Sequence, residues 1–337
     1  MDNRKILLWV LIIIMGISVI GCRKKDGFKK LFSKEDEMEI IRSDDYDFEI
    51  TEDDGMRKTV LYFRDKQGLL VPLMRKIPWE EGIAKSALNN MIDTAELRES
   101  LKYTGLSPII PAGTEIRGMA VNEETGICKV DFTDEIMNYE TEKEEENLIK
   151  GIVYTLTEFQ AINEVEFLIN GGMASFKFNA DSSTPFKREN INLVGDVNDF
   201  NSKTVVYYKG NHFEEDYEYF VPVTIPTLAP VPNIYTAMET LFDGPSGDLG
   251  LGSNIPDGTS FHGIDIKDGI AYVDISFDYG EPSKDSQVYS SMMKNIGLTL
   301  SEFGEIEKVE LLIDGKSLAE LGIDIYNMTI PAFANEY

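Results

Sequence analysis

The chain has 337 residues, long enough for two domains with separate cores. Its 59 acidic against 32 basic residues leave a net charge of −27, a surface that repels nucleic-acid phosphates and argues against a nucleic-acid partner. With two histidines and no Gly-x-Ser-x-Gly, His-Glu-x-x-His or Gly-x-x-x-x-Gly-Lys pattern, it lacks the familiar hydrolase, zinc and phosphate-loop signatures.

Residues 1–21 read as a lipoprotein signal peptide. Arg4 and Lys5 precede an uncharged apolar run, Ile6–Ile20, whose 15 residues are short for a membrane span. The run ends at Val19-Ile20-Gly21-Cys22, which resembles the lipobox of bacterial lipoproteins. In that reading Cys22 is the lipid-attachment residue and the mature N-terminus. The protein is then held to the cytoplasmic membrane, on its extracytoplasmic face. Two or three acyl chains anchor stably because each buried methylene contributes about 0.8 kcal/mol. Arg23, Lys24, Lys25, Lys29 and Lys30 follow and favour anionic head groups. Residues 22–58 form an acidic tether, in which Glu35-Asp36-Glu37, Asp44-Asp45-Tyr46-Asp47 and Glu52-Asp53-Asp54 lack apolar periodicity. With Cys22 acylated, Cys128 has no thiol partner, so no intrachain disulfide is expected.

Beyond the tether one unit occurs twice. Ile110-Pro111-Ala112-Gly113-Thr114 recurs as Ile255-Pro256-Asp257-Gly258-Thr259, and Gly126–Asp131 recurs as Gly269–Asp274. Thr155-Leu156-Thr157-Glu158-Phe159 recurs as Thr299-Leu300-Ser301-Glu302-Phe303, and Val165–Gly171 as Val309–Gly315, always 143 to 145 residues later. The tandem copies are placed at 59–172 and 204–337, the second with a C-terminal tail, and are joined by a linker at 173–203. Since each copy supplies its own strands and helices, each is expected to fold alone.

Each copy opens with a strand, Val60–Phe63 or Val205–Tyr208. A second follows around Leu69–Lys76 or Tyr219–Thr224, with breaks marked by Pro78 and Pro226. A first helix is expected at about Glu80–Ser100, with Ala84, Leu88, Met91, Ile92 and Ala95 on one face. Its counterpart, about Asn233–Phe242, stops at Gly244-Pro245. Ile-Pro-x-Gly-Thr reads as a type II turn whose glycine takes positive φ. A hairpin follows, Glu115–Val121 with Ile127–Phe132, or Ser260–Ile266 with Ile270–Ile275. Leu148, Ile149, Ile152, Leu156 and Phe159, matching Met292, Met293, Ile296, Leu300 and Phe303, then mark a second helix with one core face. The last strand is Val165–Ile169 or Val309–Ile313. The order β-β-α-β-β-α-β is an α+β unit with helices packed on a mixed sheet. In the tail, Ile323-Asp324-Ile325-Tyr326 offers an edge strand.

These four landmarks, in order and twice, are similar to those of the GerM-domain family of sporulation and spore-germination lipoproteins. The second copy adds Asp243-Gly244-Pro245 and Gly250-Leu251-Gly252-Ser253; the first departs there, reading Asp93-Thr94-Ala95. The resemblance implies a fold similar to the ring-building domains of secretion and sporulation machines. It also implies a role supporting a transenvelope complex in spore formation and germination, with envelope proteins of that complex as partners. A peptidoglycan-associated module assisting cell-wall remodelling is the alternative.

The residues themselves offer no catalytic constellation, cofactor site or metal site. His262 matches Arg117 and reads as solvent-facing. Asp131 and Asp274 stand alone at strand ends, where a strand-end or capping role is expected. Asp274-Ile275-Ser276-Phe277-Asp278 lacks the glycine and terminal glutamate of a calcium loop. Glu158 and Glu302 are explained by a local hydrogen bond or an exposed face. Cys128, where the second copy has Ala271, reads as a small buried hydrophobe.

Overall fold

A computed structural model describes residues 55–79, 82–178, 180–195, 200–210, 217–277, 285–304, 306–324 and 329–337. The signal segment, Cys22, the tether up to residue 54 and His212 lie outside the described residues. In the first copy β1 (Met56–Arg64) and β2 (Leu70–Pro78) form an antiparallel hairpin. Two short helices follow, α1 (Ile83–Asn89) and α2 (Ala95–Leu101). Next come β3 (Ile116–Asn122), β4 (Ile127–Phe132), α3 (Glu142–Leu156), β5 (Glu164–Ile169) and the two-residue β6 (Gly172–Met173).

The second copy repeats this plan. It has β7 (Ser202–Gly210), β8 (Phe220–Thr227), α4 (Ile234–Asp243), β9 (Leu251–Gly252), β10 (Thr259–Lys267) and β11 (Ile270–Phe277). It closes with α5 (Ser286–Leu300), β12 (Lys308–Ile313) and β13 (Lys316–Ser317). The main sheets are ordered β3-β4-β5-β6 and β10-β11-β12-β13. β4 and β5 run parallel, as do β11 and β12, because a helix connects each pair; the other pairings are antiparallel. The sheets are therefore mixed, as the α+β reading requires, while the opening hairpins stand apart from them.

Local chemistry explains most elements. Gly113 and Gly258 adopt φ of 80° and 77°. In each turn the threonine N–H and hydroxyl both bond to the proline carbonyl, Thr114 to Pro111 and Thr259 to Pro256. Thr141 caps α3 by accepting from the Glu144 N–H at 3.2 Å, and Asn233 caps α4 through the Thr236 N–H at 2.9 Å. α3 and α5 bury the stripe read from the sequence; Ile152, Leu156, Ile296 and Leu300 are fully inaccessible. Both sheets carry a bulge at the same place, Arg117 in β3 and His262 in β10. The bulge interrupts two edge strands that would otherwise offer a regular ladder to another chain.

Three expectations need correction. The single helix expected at Glu80–Ser100 is two. Asp93 N–H bonds to the Ile110 carbonyl at 2.9 Å, pulling the chain out of helical register, and Thr94 starts α2 by accepting from Leu97 N–H at 3.1 Å. In the tail, Ile325 and Tyr326 of the expected edge strand lie outside the described residues, described Ile323 and Asp324 are irregular, and edge pairing is found at Thr329, bridged to Lys308. Finally, the copies are not separate beads. Their buried side chains merge into one cluster that includes Val71 and Leu73 of β2 and Val221 and Val223 of β8, so the independent folding expected of each copy is not what the packing favours.

Cys128 is fully buried beside Val130 and Phe132, and burial pushes its thiol up to about 12. In a Cys22→Ala chain it is the one remaining thiol. At about pH 8 its native alkylation by iodoacetamide should be slower than in urea by about 100-fold or more, since only thiolate reacts. Mass spectrometry follows the rates; similar rates would show that the strand face is open.

Candidate functional site

Each Thr-Leu-[Thr/Ser]-Glu-Phe motif fastens the end of a helix to its opening hairpin. Thr155 Oγ1 accepts the Tyr62 N–H at 3.3 Å, and Thr299 Oγ1 accepts the Tyr207 N–H at 3.1 Å. Three residues after Thr155 and Thr299, the glutamates take the matching phenols: Tyr62 donates to Glu158 Oε1 at 3.2 Å and Tyr207 to Glu302 Oε1 at 3.0 Å. The local bond or exposed face expected for these glutamates is thus incomplete, because each reaches a tyrosine more than 90 residues earlier. The copies then diverge. Glu158 is buried and also receives Arg188, whereas Glu302 is exposed. Arg188 lies over the Tyr154 ring, 4.8 Å from its centre. Burial pushes the Tyr154 phenol above its ordinary range; Arg188 opposes that shift, while Glu302 and Glu158 add to it.

The deeper junction is built by two buried asparagines. Asn192 accepts the Leu70 N–H and donates to the carbonyls of Leu70 and Pro222, all at 2.8 Å. Asn335 accepts the Phe220 N–H at 2.7 Å and donates to the carbonyls of Pro72 at 2.7 Å and Phe220 at 2.8 Å. Leu70 and Phe220 occupy the same position in their hairpins, as do Pro72 and Pro222, and the asparagines are 143 residues apart. The arrangement is a pseudo-twofold: the segment after each copy satisfies the facing strand edges of both. The backbone extends each brace. Val194 N–H bonds to the Thr224 carbonyl, and Met74 exchanges bonds with Asn335 and Tyr337.

Neither asparagine, nor Arg188, nor the tyrosines stood out in sequence. The linker and the tail share no motif that marks them, although their asparagines keep an offset of 143 residues, within the 143 to 145 of the landmarks.

The aspartates behave as strand-end groups. Asp131 Oδ1 accepts the Gly171 N–H at 2.8 Å and Asp274 Oδ1 the Gly315 N–H at 2.9 Å, fixing the turn after each last long strand. His262 is exposed and bonds to Ser276 Oγ at 2.7 Å. Among the described residues no three His, Cys, Asp or Glu side chains are grouped to hold a metal. What the arrangement builds is a braced pair of sheets with solvent-facing outer surfaces.

Comparison with known proteins gives that architecture its family. The family described as Germane: Sporulation and spore germination matches residues 60–174 and 205–319. The chain is 30% identical over 269 residues to the spore germination protein GerM of Bacillus subtilis strain 168, covering 76% of this chain and 71% of that one. Its fold is similar to the solved tandem GerMN domains of the sporulation protein GerM from Bacillus subtilis. That match has a TM-score of 0.66 and 26% identity, and covers 83% of this chain and 99% of that one. Two copies of the unit, in this order and on this fold, make the chain a member of the Germane family of sporulation and spore germination proteins.

Proposed function

We propose that this protein is a lipid-anchored scaffold, attached through Cys22 to the extracytoplasmic face of the cell membrane. It supports assembly or localisation of a transenvelope complex in spore formation and germination, and it does so through its surfaces rather than by catalysis. The observation that carries the reading is the braced pair: two family units locked edge to edge, with the recurrent strand-end aspartates and helix-end glutamates holding the fold. Asp131 and Asp274 hold turns, and Glu158 and Glu302 hold hairpins. A scaffold needs such rigidity, because a partner docking on both copies binds without first ordering them.

The anchor is tested by Cys22→Ala. That variant should take up no clickable fatty acid and keep its signal segment. In a spore-forming host it should lower the yield of heat-resistant spores and release candidate envelope partners from their normal position, at unchanged protein level by immunoblot. Conservative changes at His212, His262, Asp131 and Asp274 should leave spore yield nearly intact. Equal fatty-acid labelling of Cys22→Ala would refute the anchor. Complete loss of function in a stable variant at one of the other four positions would move a catalytic site ahead of the scaffold.

A further inference from the structure

The outer face of the second copy's main sheet carries an inference, and the first copy supplies its control. In the register of β10, β11 and β12, Asp265, Tyr272 and Glu310 lie side by side in one row. The row on one side holds Gly263, Asp274 and Leu312; the row on the other holds Lys267, Ile270 and Lys308. No helix of the described residues packs there, since α4 and α5 lie against the opposite, buried face of Ile264, Val273 and Leu311.

In the first copy the row matching Asp265, Tyr272 and Glu310 is Ala120, Lys129 and Glu166. Every carboxylate on that face has its own cation: Glu166 with Lys129 at 2.8 Å, Asp131 with Arg117 at 3.6 Å and Glu164 with Lys187 at 2.8 Å. The second copy has Tyr272 and His262 where Lys129 and Arg117 stand, while Lys308 takes the place of Glu164 and needs no cation. Among the described residues Asp274 and Glu310 therefore have no ion-pair partner. Asp265 pairs with Lys267 of its own strand, an exposed side chain whose Nζ lies 5.9 Å from the centre of the Tyr272 ring. The first copy's face is internally neutralised, and the second copy's is not.

We infer that this face docks a basic segment of a partner protein, with a lysine or arginine cation over Tyr272 between Asp265 and Glu310. Lys267 already holds a cation on that side of the ring and would be displaced. An aromatic face attracts cations, and half-buried Ile270 and Leu312 on the flanking rows receive the methylene stems. Glu310, which has no ion-pair partner among the described residues, sets orientation and rejects acidic partners. The inference rests on the reading that the protein works through its surfaces. Its test is a binding measurement, so a failure here is distinguishable from a failure of the anchor or of assembly in cells.

The probe is a fluorescein-labelled Arg-Val-Arg-Val-Arg amide, titrated by anisotropy into the full-length chain in detergent micelles at physiological ionic strength, beside Glu-Val-Glu-Val-Glu amide. The basic peptide should bind and the acidic one should not. Glu310→Gln, and Tyr272→Lys, which installs the residue of the first copy, should each weaken binding by about fivefold or more, the scale of one lost charge contact. Glu166→Gln removes the same charge from the first copy and should change binding by less than about twofold. Thermal melts confirm that all variants fold. An equal loss in Glu166→Gln and Glu310→Gln would assign binding to net charge and overturn the inference. So would absence of binding, or binding unchanged by both Glu310→Gln and Tyr272→Lys.

Discussion

Asn335→Leu should destabilise the whole protein by on the order of 3–5 kcal/mol, because it strands buried hydrogen-bonding groups on two strands at once. The side chain is nearly inaccessible, and leucine fills its volume but neither accepts the Phe220 N–H nor donates to the Pro72 and Phe220 carbonyls. Asn192→Leu should cost a similar amount at the mirror position, through Leu70 and Pro222. Urea unfolding of the chain from residue 23 reads both, with Trp79 at the end of β2 as its single tryptophan. The Trp79 transition should fall to lower urea in Asn335→Leu and coincide with the far-ultraviolet transition, since the copies share a core. A loss below about 1 kcal/mol would mean that water replaces the brace at little cost. Separate transitions would mean that each copy folds alone after all, as the duplicated sequence leads one to expect. The same geometry predicts that a fragment from Ser202 to Tyr337 is less stable than the intact chain, because it lacks Asn192 and leaves the β8 edge uncovered.

Glu158→Ala and Glu302→Ala should differ, although they remove the same motif residue. Glu158 is nearly inaccessible and takes both the Tyr62 phenol and the Arg188 guanidinium. Its loss leaves a cation and a phenol without their carboxylate, for which about 2–4 kcal/mol is expected after allowing for the partial exposure of Arg188. Glu302 is exposed and takes the Tyr207 phenol, so its removal should cost less than about 1 kcal/mol. Glu158→Gln should recover part of the loss, because an amide oxygen still accepts from Tyr62. Chemical denaturation of the three variants decides the matter. Equal costs for the two alanine variants would show that the motif acts through the helix end alone, and that Arg188 is incidental.

What the sequence by itself determined is everything with a short range or a strict period. The Ile-Pro-x-Gly-Thr turn was legible because glycine at positive φ and a proline carbonyl three residues before threonine are local requirements. The long strands were legible because Cys128, Val130 and Phe132 alternate with polar residues. The second helix was legible because its apolar positions recur at helical spacing in both copies. Duplication multiplied these signals, and with them the family. The break between α1 and α2 was not legible, since the apolar stripe runs through Met91 and Ile92 without interruption; the bond that ends the helix comes from Ile110, in a later segment.

Only the tertiary structure decided how the copies meet. Asn192 reaches Leu70 across 122 residues and Asn335 reaches Pro72 across 263, and no local propensity marks an asparagine whose value lies in two distant strand edges. Which face of each sheet stays open, and whether its charges are paired, depended in the same way on strand register. The physical reason is that hydrogen bonds between strand edges and ion pairs across strands are set by packing between elements, whereas turns, alternation and helical stripes are set by neighbours along the chain.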